Sequence, residues 1–516
     1  MPIFAEGALN TTALIVPDLY VQIVAPQSLL LNGVPTDTLG VVGTASWGPV
    51  GEPTIIGSMS GYAAAFGPVM ARKYDMGTQV ATAVQQGAAN FLCVRVTDGT
   101  DSAASVSVLG AITFTALYTG SLGNLLTLTL APGSAANSWS LTVALPGQSP
   151  EIFNNIVGSG TAFWSNLAEA VNAGNGALRG PSQLVVASTS GSGAVAVAQS
   201  YPFTAGTPGT DGAGTVTAAT LVGSDTLPRQ GMYALRGQGC ALAVLADTDD
   251  STQWSTQVAF GLSEAVYMIL TGPAGDNIAN AVTVKAEAGI DSYAAKMMFG
   301  DWIYWYDQAN ALTRLVSPQG FVAGRLANLS PEQSPLNKPL YGVIGSQKSG
   351  QPGGSTVTTY ATADLTALLS AGIDVIANPQ PGGAFWGVRG GHNSSSNAAT
   401  DGDNYTRLTN YIASTLSAGM GAYVGQLVNS TLFQNIRATL MAFLNGLLGQ
   451  GLLGSTDGSL PFAVVCDTTN NPASRTGLGY VQADVQVQYQ AINEKFIVNV
   501  QGGQTVQVTR QTTPSI

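Results

Sequence analysis

The stretch Thr38–Ser58, TLGVVGTASWGPVGEPTIIGS, decides how the rest of the chain is read. Leu39 to Ala45 is a short, nearly unbroken apolar run, as in a strand buried on both faces. A Gly/Pro loop follows, Pro53 to Ile56 reads as a second short strand, and Ser58 can cap a helix that Gly67-Pro68 stops. The helical TQVATAVQQGAAN then leads into the strand FLCVRV, Phe91 to Val96. Strands alternating with helices predict a mixed α/β fold.

Outward from this region the texture changes. From about Ser105 to Ala205 the chain is Ser/Thr/Gly-rich and β-prone (SVSVLGAITFTALYTG, NLLTLTLAP, SWSLTVALPG, QLVVAS), with one helix, FWSNLAEAVNA. It reads as an inserted β domain, with GTPGTDGAGT (Gly206 to Thr215) as a flexible return linker. Alternation resumes with GCALAVLAD, STQWSTQVAFGLSEA, VYMILTGP, DNIANAVTVKAEAG and the aromatic KMMFGDWIYWYD. The Gly/Pro/Ser-rich SQKSGQPGGSTVT reads as a mobile loop. The helix TADLTALLSAG leads to IDVIANPQPGGAFWGVRGG, and two helices come next. Leu408, Tyr411, Ile412 and Leu416 stripe the first, while Leu432, Ile436, Leu440, Phe443, Leu444 and Leu447 stripe the second. A last strand group holds FAVVCD and GYVQADVQVQYQ.

Both chain ends are extended. In Ala13 to Val24, Leu19, Val21 and Ile23 share one side and Tyr20 lies on the other, after Leu14. FIVNVQGGQTVQV (Phe496 to Val508) places two β-prone runs around Gly502-Gly503, a hairpin signal. Phe496, Val498 and Val500 share a face of the first run beside Ile497, and Val506 and Val508 share a face of the second. A two-stranded hairpin is marginal alone, and this one contains no Pro or charge to blunt its edge. It is therefore expected to pair with another strand.

Composition narrows the function. At 516 residues, several domains are expected. Only 9% of residues are Asp, Glu, Lys or Arg, against roughly 25% in average globular proteins. That sparseness suits a surface covered by copies of the same chain, and equally a secreted low-charge β protein. A net charge of −11 opposes a general nucleic-acid binder, which needs a basic patch. No run approaches the roughly 18 apolar residues of a membrane span. MPIFAEGALN has neither the basic nor the apolar region of a signal peptide, so a soluble, intracellularly made protein is expected. Cys93, Cys240 and Cys466 read as isolated core residues.

Motifs of chemistry are sparse. His392 in RGGHNSSSN is the single histidine, unaccompanied by a G-x-S-x-G elbow, and reads as a surface-loop residue; a hydrolase would have to use it. RGQGCALAVL lacks the third glycine of a dinucleotide fingerprint. DTDD (Asp247 to Asp250) and DGDN (Asp401 to Asn404) lack the spacing of a Ca²⁺ loop and read as solvated helix-start acids. Trp302, Tyr304, Trp305 and Tyr306 read as a packed interface. No cofactor, metal or catalytic site is expected.

In order along the chain, GVVGTASWGPVGEPTIIGSMSGYAAAFGP with FLCVRV, YTGSLGNLLTLTL with SPEIFNNI, AGIDVIANPQPGGAFWGVRG, YTRLTNYIASTL, FLNGLLGQGLLGS and FAVVCDTT are similar to the contractile tail sheath proteins of tailed bacteriophages. The likeness spans nearly the whole chain, and the order of the motifs carries it. RGGHNSSSN departs from it, since many sheath proteins have Arg-Thr after the W-G-x-R element. The resemblance implies a multidomain α+β chain: an N-terminal arm (1–24), an inner α/β domain from both chain ends (25–104 and 372–494), an inserted β-rich domain (105–212), an outer α/β domain (213–371) and a C-terminal β arm (495–516). It implies a structural virion protein that forms stacked helical rings with itself around a tail tube, between baseplate and tail terminator or neck proteins. Such a sheath assembles in the host cytoplasm and contracts to drive the tube through the host envelope. It implies no enzyme activity, no direct nucleic-acid contact and no membrane insertion. The terminal arms would join subunits. Asp403, Arg407, Asn410 and Arg437, on the polar faces of the two late helices, would face the tube. An S-layer or adhesin subunit, or a hydrolase using His392, stands as the alternative.

Overall fold

The computed structural model describes residues 31–176, 179–351, 358–502 and 504, together with the backbone of residues 3–6 and 20–23. Seven strands form one sheet: β1 (Leu39–Gly43), β2 (Thr54–Ile56), β3 (Phe91–Arg95), β4 (Leu242–Leu245), β5 (Tyr267–Thr271), β6 (Ala295–Met298) and β7 (Ile373–Asp374). Their spatial order is β7-β6-β5-β4-β1-β3-β2, parallel throughout except for the antiparallel edge strand β2. The unbroken apolar runs follow from this placement. Val41, Cys93, Val244 and Ile269 enter one core, and their neighbours Val42, Val94, Leu245 and Leu270 enter the other.

Helices cover both faces. α1 (Met59–Phe66) begins where Ser58 Oγ accepts from Gly61 N at 3.1 Å and ends at Gly67, as the sequence predicts. α2 (Met76–Gln85) starts earlier than the apolar pattern suggests, because Asp75 caps it and accepts from Thr78 N at 2.8 Å. α3 (Gln319–Asn328) lies against α2 at Gly324, where an added Cβ would stand 2.4 Å from Ala83 Cα. On the opposite face Trp254, Phe260 and Leu368 close the second core.

Residues 105–202 build a separate all-antiparallel unit. One sheet orders Val185–Thr189, Ile112–Ala116 and Ser105–Val108; the other orders Glu151–Ile156, Trp139–Ala144, Thr127–Pro132 and Gln199–Pro202. The helix Gly160–Ala173 supplies Phe163, Trp164 and Leu167 to their shared core. Trp47, in the loop after β1, also enters that core and meets Tyr118 edge-on at 5.4 Å. The return segment Gly206–Thr215 is not the flexible linker expected from its composition. It runs antiparallel to 102–105 through the Ser102–Thr210 and Ser105–Thr207 pairs, and Asp211 holds Arg72 at 2.6 Å.

Residues from both 25–104 and 213–371 supply strands to this one sheet, in which β1 pairs with β3 on one side and β4 on the other. Past β7 the chain forms α4 (Asp403–Gly419) and α5 (Ser430–Gly449), capped by Asn429, then the antiparallel pair Phe462–Val465 and Asp484–Val487. Their core includes both predicted helix stripes and Leu31 from the other end of the chain.

Candidate functional site

The N-terminal half of α4 is docked on the sheet edge by charge. Lys296, in β6, places Nζ 2.7 Å from Asp374 Oδ2 and 2.9 Å from Asp403 Oδ2, with none of the three side chains more than marginally exposed. It also donates to the carbonyl of His392 at 2.8 Å, and Tyr267 donates its hydroxyl to Asp403. Burial opposes the charge on Lys296, but the two carboxylates outweigh it and hold the ammonium above its usual pKa. Arg407, one turn along α4, donates to the carbonyls of Leu329, Ser330 and Thr36 at 2.9–3.2 Å. Burial lowers its pKa to about 10.

This arrangement corrects three expectations. Asp403, Arg407 and Asn410 are buried inside the subunit and do not form an exposed polar face; Arg437 on α5 is exposed. The polar stripe of α4 faces the sheet edge and the carbonyl ends of neighbouring loops, which an isolated helical pattern does not reveal. Asp247 and Asp403, expected as solvated acids, are both buried. Lys296 was the available signal: a lysine inside the apolar run AAKMMF.

The C-terminal segment crosses the start of α4. Tyr489 Oη lies 3.2 Å from Thr409 Oγ1, and Asn404 donates Nδ2 to the Gln490 carbonyl at 2.9 Å. His392 is half-buried, with Nε2 2.5 Å from Glu494 Oε1 and Nδ1 3.3 Å from Asp401 Oδ2. It is therefore not a loop residue without contacts: a carboxylate lies at each ring nitrogen. Beyond Glu494, Phe496, Ile497, Val498 and Val500 are 63–86% exposed and pair with no strand among the described residues. Val506 and Val508 lie outside the described residues, as do Leu14 and Leu19. At the other end, Tyr20–Ile23, which contains Val21, pairs in parallel with Ile3–Glu6.

Trp302 and Trp305 are buried as expected, Trp305 donating Nε1 to Gln85 at 3.0 Å, while Tyr306 is exposed. Cys93, Cys240 and Cys466 are free and buried. Among the described residues no cluster of His, Cys, Asp and Glu could hold a metal, and no helix is long and apolar enough to cross a membrane.

No protein-family model matches the sequence, and no curated protein sequence matches it. Solved structures do. The sheath tail protein from Desulfitobacterium hafniense is 16% identical over 86% of this chain and 93% of its own, with a TM-score of 0.57. The sheath tail protein from Listeria innocua is 15% identical over 85% of this chain and 90% of its own, at 0.60. The helical sheath of the anti-feeding prophage in its contracted state is 12% identical over 94% and 99%, at 0.55. The chain has the sheath-protein fold. At these identities the likeness rests on backbone architecture. Within this sheath fold, α4 sits between the sheet edge carrying Lys296 and the segment carrying Glu494.

Proposed function

We propose that this chain is the sheath subunit of a contractile tail or injection apparatus, stacking as helical rings around an inner tube. The observation that carries this reading is the pairing of a sheath fold along nearly the whole chain with an exposed, unpaired, apolar terminal segment, Phe496–Val500. Such an edge is an aggregation hazard unless another chain is meant to cover it. Strand addition by the two termini, with the segment around Leu14–Ile23 of one copy meeting Phe496–Val508 of another, is heterologous and does not close on itself, as a helical assembly requires.

About eight new backbone hydrogen bonds at ~1 kcal/mol each would offset roughly 4–15 kcal/mol of lost rigid-body freedom only marginally. Arms alone are then weak, and assembly uses a tube or baseplate as template. Once joined, they tether neighbours while globular contacts exchange during contraction. In this reading residues 1–24 and 495–516 are the arms, 105–212 the inserted β unit, and the body is the seven-stranded sheet with the α4–α5 region. Arg437 remains as a tube-facing candidate. In a phage the sheath would be part of the virion tail, assembled in the host cytoplasm.

Negative-stain microscopy of the purified chain, alone and with tube protein, tests the reading. Striated hollow cylinders are expected. A protein that stays monomeric with tubes and baseplates present would refute it.

A further inference from the structure

We propose that His392 is a proton-dependent clasp on the root of the C-terminal segment, setting the point from which the exposed stretch after Glu494 extends. The inference concerns a contact within one chain and does not depend on the sheath reading.

The clasp joins two parts of unequal firmness. The His392 loop is held from several sides. Lys296 donates to its carbonyl at 2.8 Å, Asp374 accepts from Gly390 N and Gly391 N at 2.7 and 2.9 Å, and Asn393 Nδ2 donates to the Thr400 carbonyl at 2.7 Å. The segment carrying Glu494 is held behind it at Gln488, whose N donates to the Pro461 carbonyl at 2.6 Å, and at Tyr489 and Gln490, while no hydrogen bond follows Glu494 among the described residues. His392–Glu494 is thus the last fastening before the exposed apolar stretch.

The ring faces a carboxylate at each nitrogen: Asp401, from the turn before α4, and Glu494, from the crossing segment. Ionised carboxylates only accept hydrogen bonds, and a neutral imidazole has one N–H. Both contacts are favourable together only when the ring carries two protons. Loss of one proton sets a lone pair against one carboxylate and, in either tautomer, removes the ring charge that strengthens the contact to Glu494. The nearby cations do not replace the lost proton: Lys296 is committed to Asp374, Asp403 and a carbonyl, and Lys495 lies beyond Glu494 on the exposed side. Release moves the pivot from Glu494 back to Gln490, four residues, which adds about 13 Å of reach at ~3.3 Å per extended residue.

Limited trypsin digestion of the full chain reads the clasp, because exposed Lys495 follows Glu494 directly. His392→Ala should be cut after Lys495 several-fold faster than wild type at about pH 6, and at nearly the wild-type rate at about pH 8.5. Taking the ratio at each pH cancels the protease's own pH dependence. Asp401→Asn, which leaves the ring a neutral partner, should cut at an intermediate rate at the lower pH. A ratio near one at both values, or the same raised ratio at both, overturns the proposal. Should His392→Ala not fold, hydrogen exchange of wild-type residues 491–494 decides it: protection must fall between the two pH values by more than the intrinsic exchange rate accounts for.

Discussion

Lys296 Nζ and Asp403 Oδ2 stand 2.9 Å apart with both side chains fully withdrawn from solvent, joining strand β6 to helix α4. With Asp374 on the same ammonium, one lysine balances two buried carboxylates. Replacing it strands both. Lys296→Met is expected to destabilise the protein by about 3–5 kcal/mol, the usual cost of breaking a buried pair from one side. Adding Asp403→Asn should cost less than the two single changes summed, since one of the two charges left behind is gone. Urea unfolding of the four proteins of this cycle measures it; strict additivity would contradict the geometry.

Arg407 and Arg437 lie on adjacent helices and should behave oppositely. Arg407→Ala leaves three part-buried carbonyls without their charged donor and should cost on the order of 3 kcal/mol. Arg437→Ala, exposed on α5, should stay within about 0.5 kcal/mol of wild type. Thermal melts compare the two directly. If Arg437 faces a tube, Arg437→Glu weakens cosedimentation with tubes and leaves the melt unchanged.

Asp75 caps α2 from a fully buried position, and burial raises its pKa from 3.8 to about 7 against the opposing hydrogen bonds from Thr78. A raised acid binds its proton more tightly folded than unfolded. Its favourable contribution is therefore present below about pH 4 and is lost as pH climbs to about 7. Asp75→Asn keeps an acceptor for Thr78 N but does not titrate. Relative to wild type, the variant should gain stability between pH 4 and 7 by at most about 1.4 kcal/mol per pH unit. Urea midpoints at pH 5 and 7.5 check this; a difference that shrinks with rising pH would contradict the sign.

Gly324 lets α3 approach α2, with Ala83 Cα 2.4 Å and Ala83 Cβ 2.8 Å from where a Cβ would sit. Gly324→Ala forces the helices apart despite its better helix propensity. The expected loss is about 1–3 kcal/mol, as for other overpacked cores. A stabilised variant in a thermal melt would show that the contact yields.

Deleting everything after Glu494 removes only side chains that are exposed in the subunit or lie outside the described residues. The truncated chain should melt as cooperatively as the full one and form no sheath on tubes. If the shortened chain unfolds, or cylinders still form, the terminal segment is not the joining device.

Where an element's own residues carry its reason to form, the sequence was readable. Ser58, Gly67 and Asn429 bound their helices, and the stripes Leu408–Leu416 and Leu432–Leu447 face a core as their spacing requires. The runs at Leu39, Phe91 and Tyr267 read as strands, and the structure buries them on both faces of a mostly parallel sheet. The candidate site was less readable, because it consists of partners distant in sequence. Asp403 meets Lys296 across 107 positions, and His392 meets Glu494 across 102.

Sequence alone determined the local pattern: mixed α/β ends around a β-rich insertion, few charges, and apolar β-prone runs near both termini. Period and capping are set by near neighbours, so they can be read from a single chain. Which polar residues became buried partners was decided only by the tertiary structure. It turned the polar face of α4 inward, ordered Gly206–Thr215 against 102–105, and brought a lone histidine between two acids. Coulomb and hydrogen-bond terms depend on distance in space, and spacing along the chain does not encode that distance.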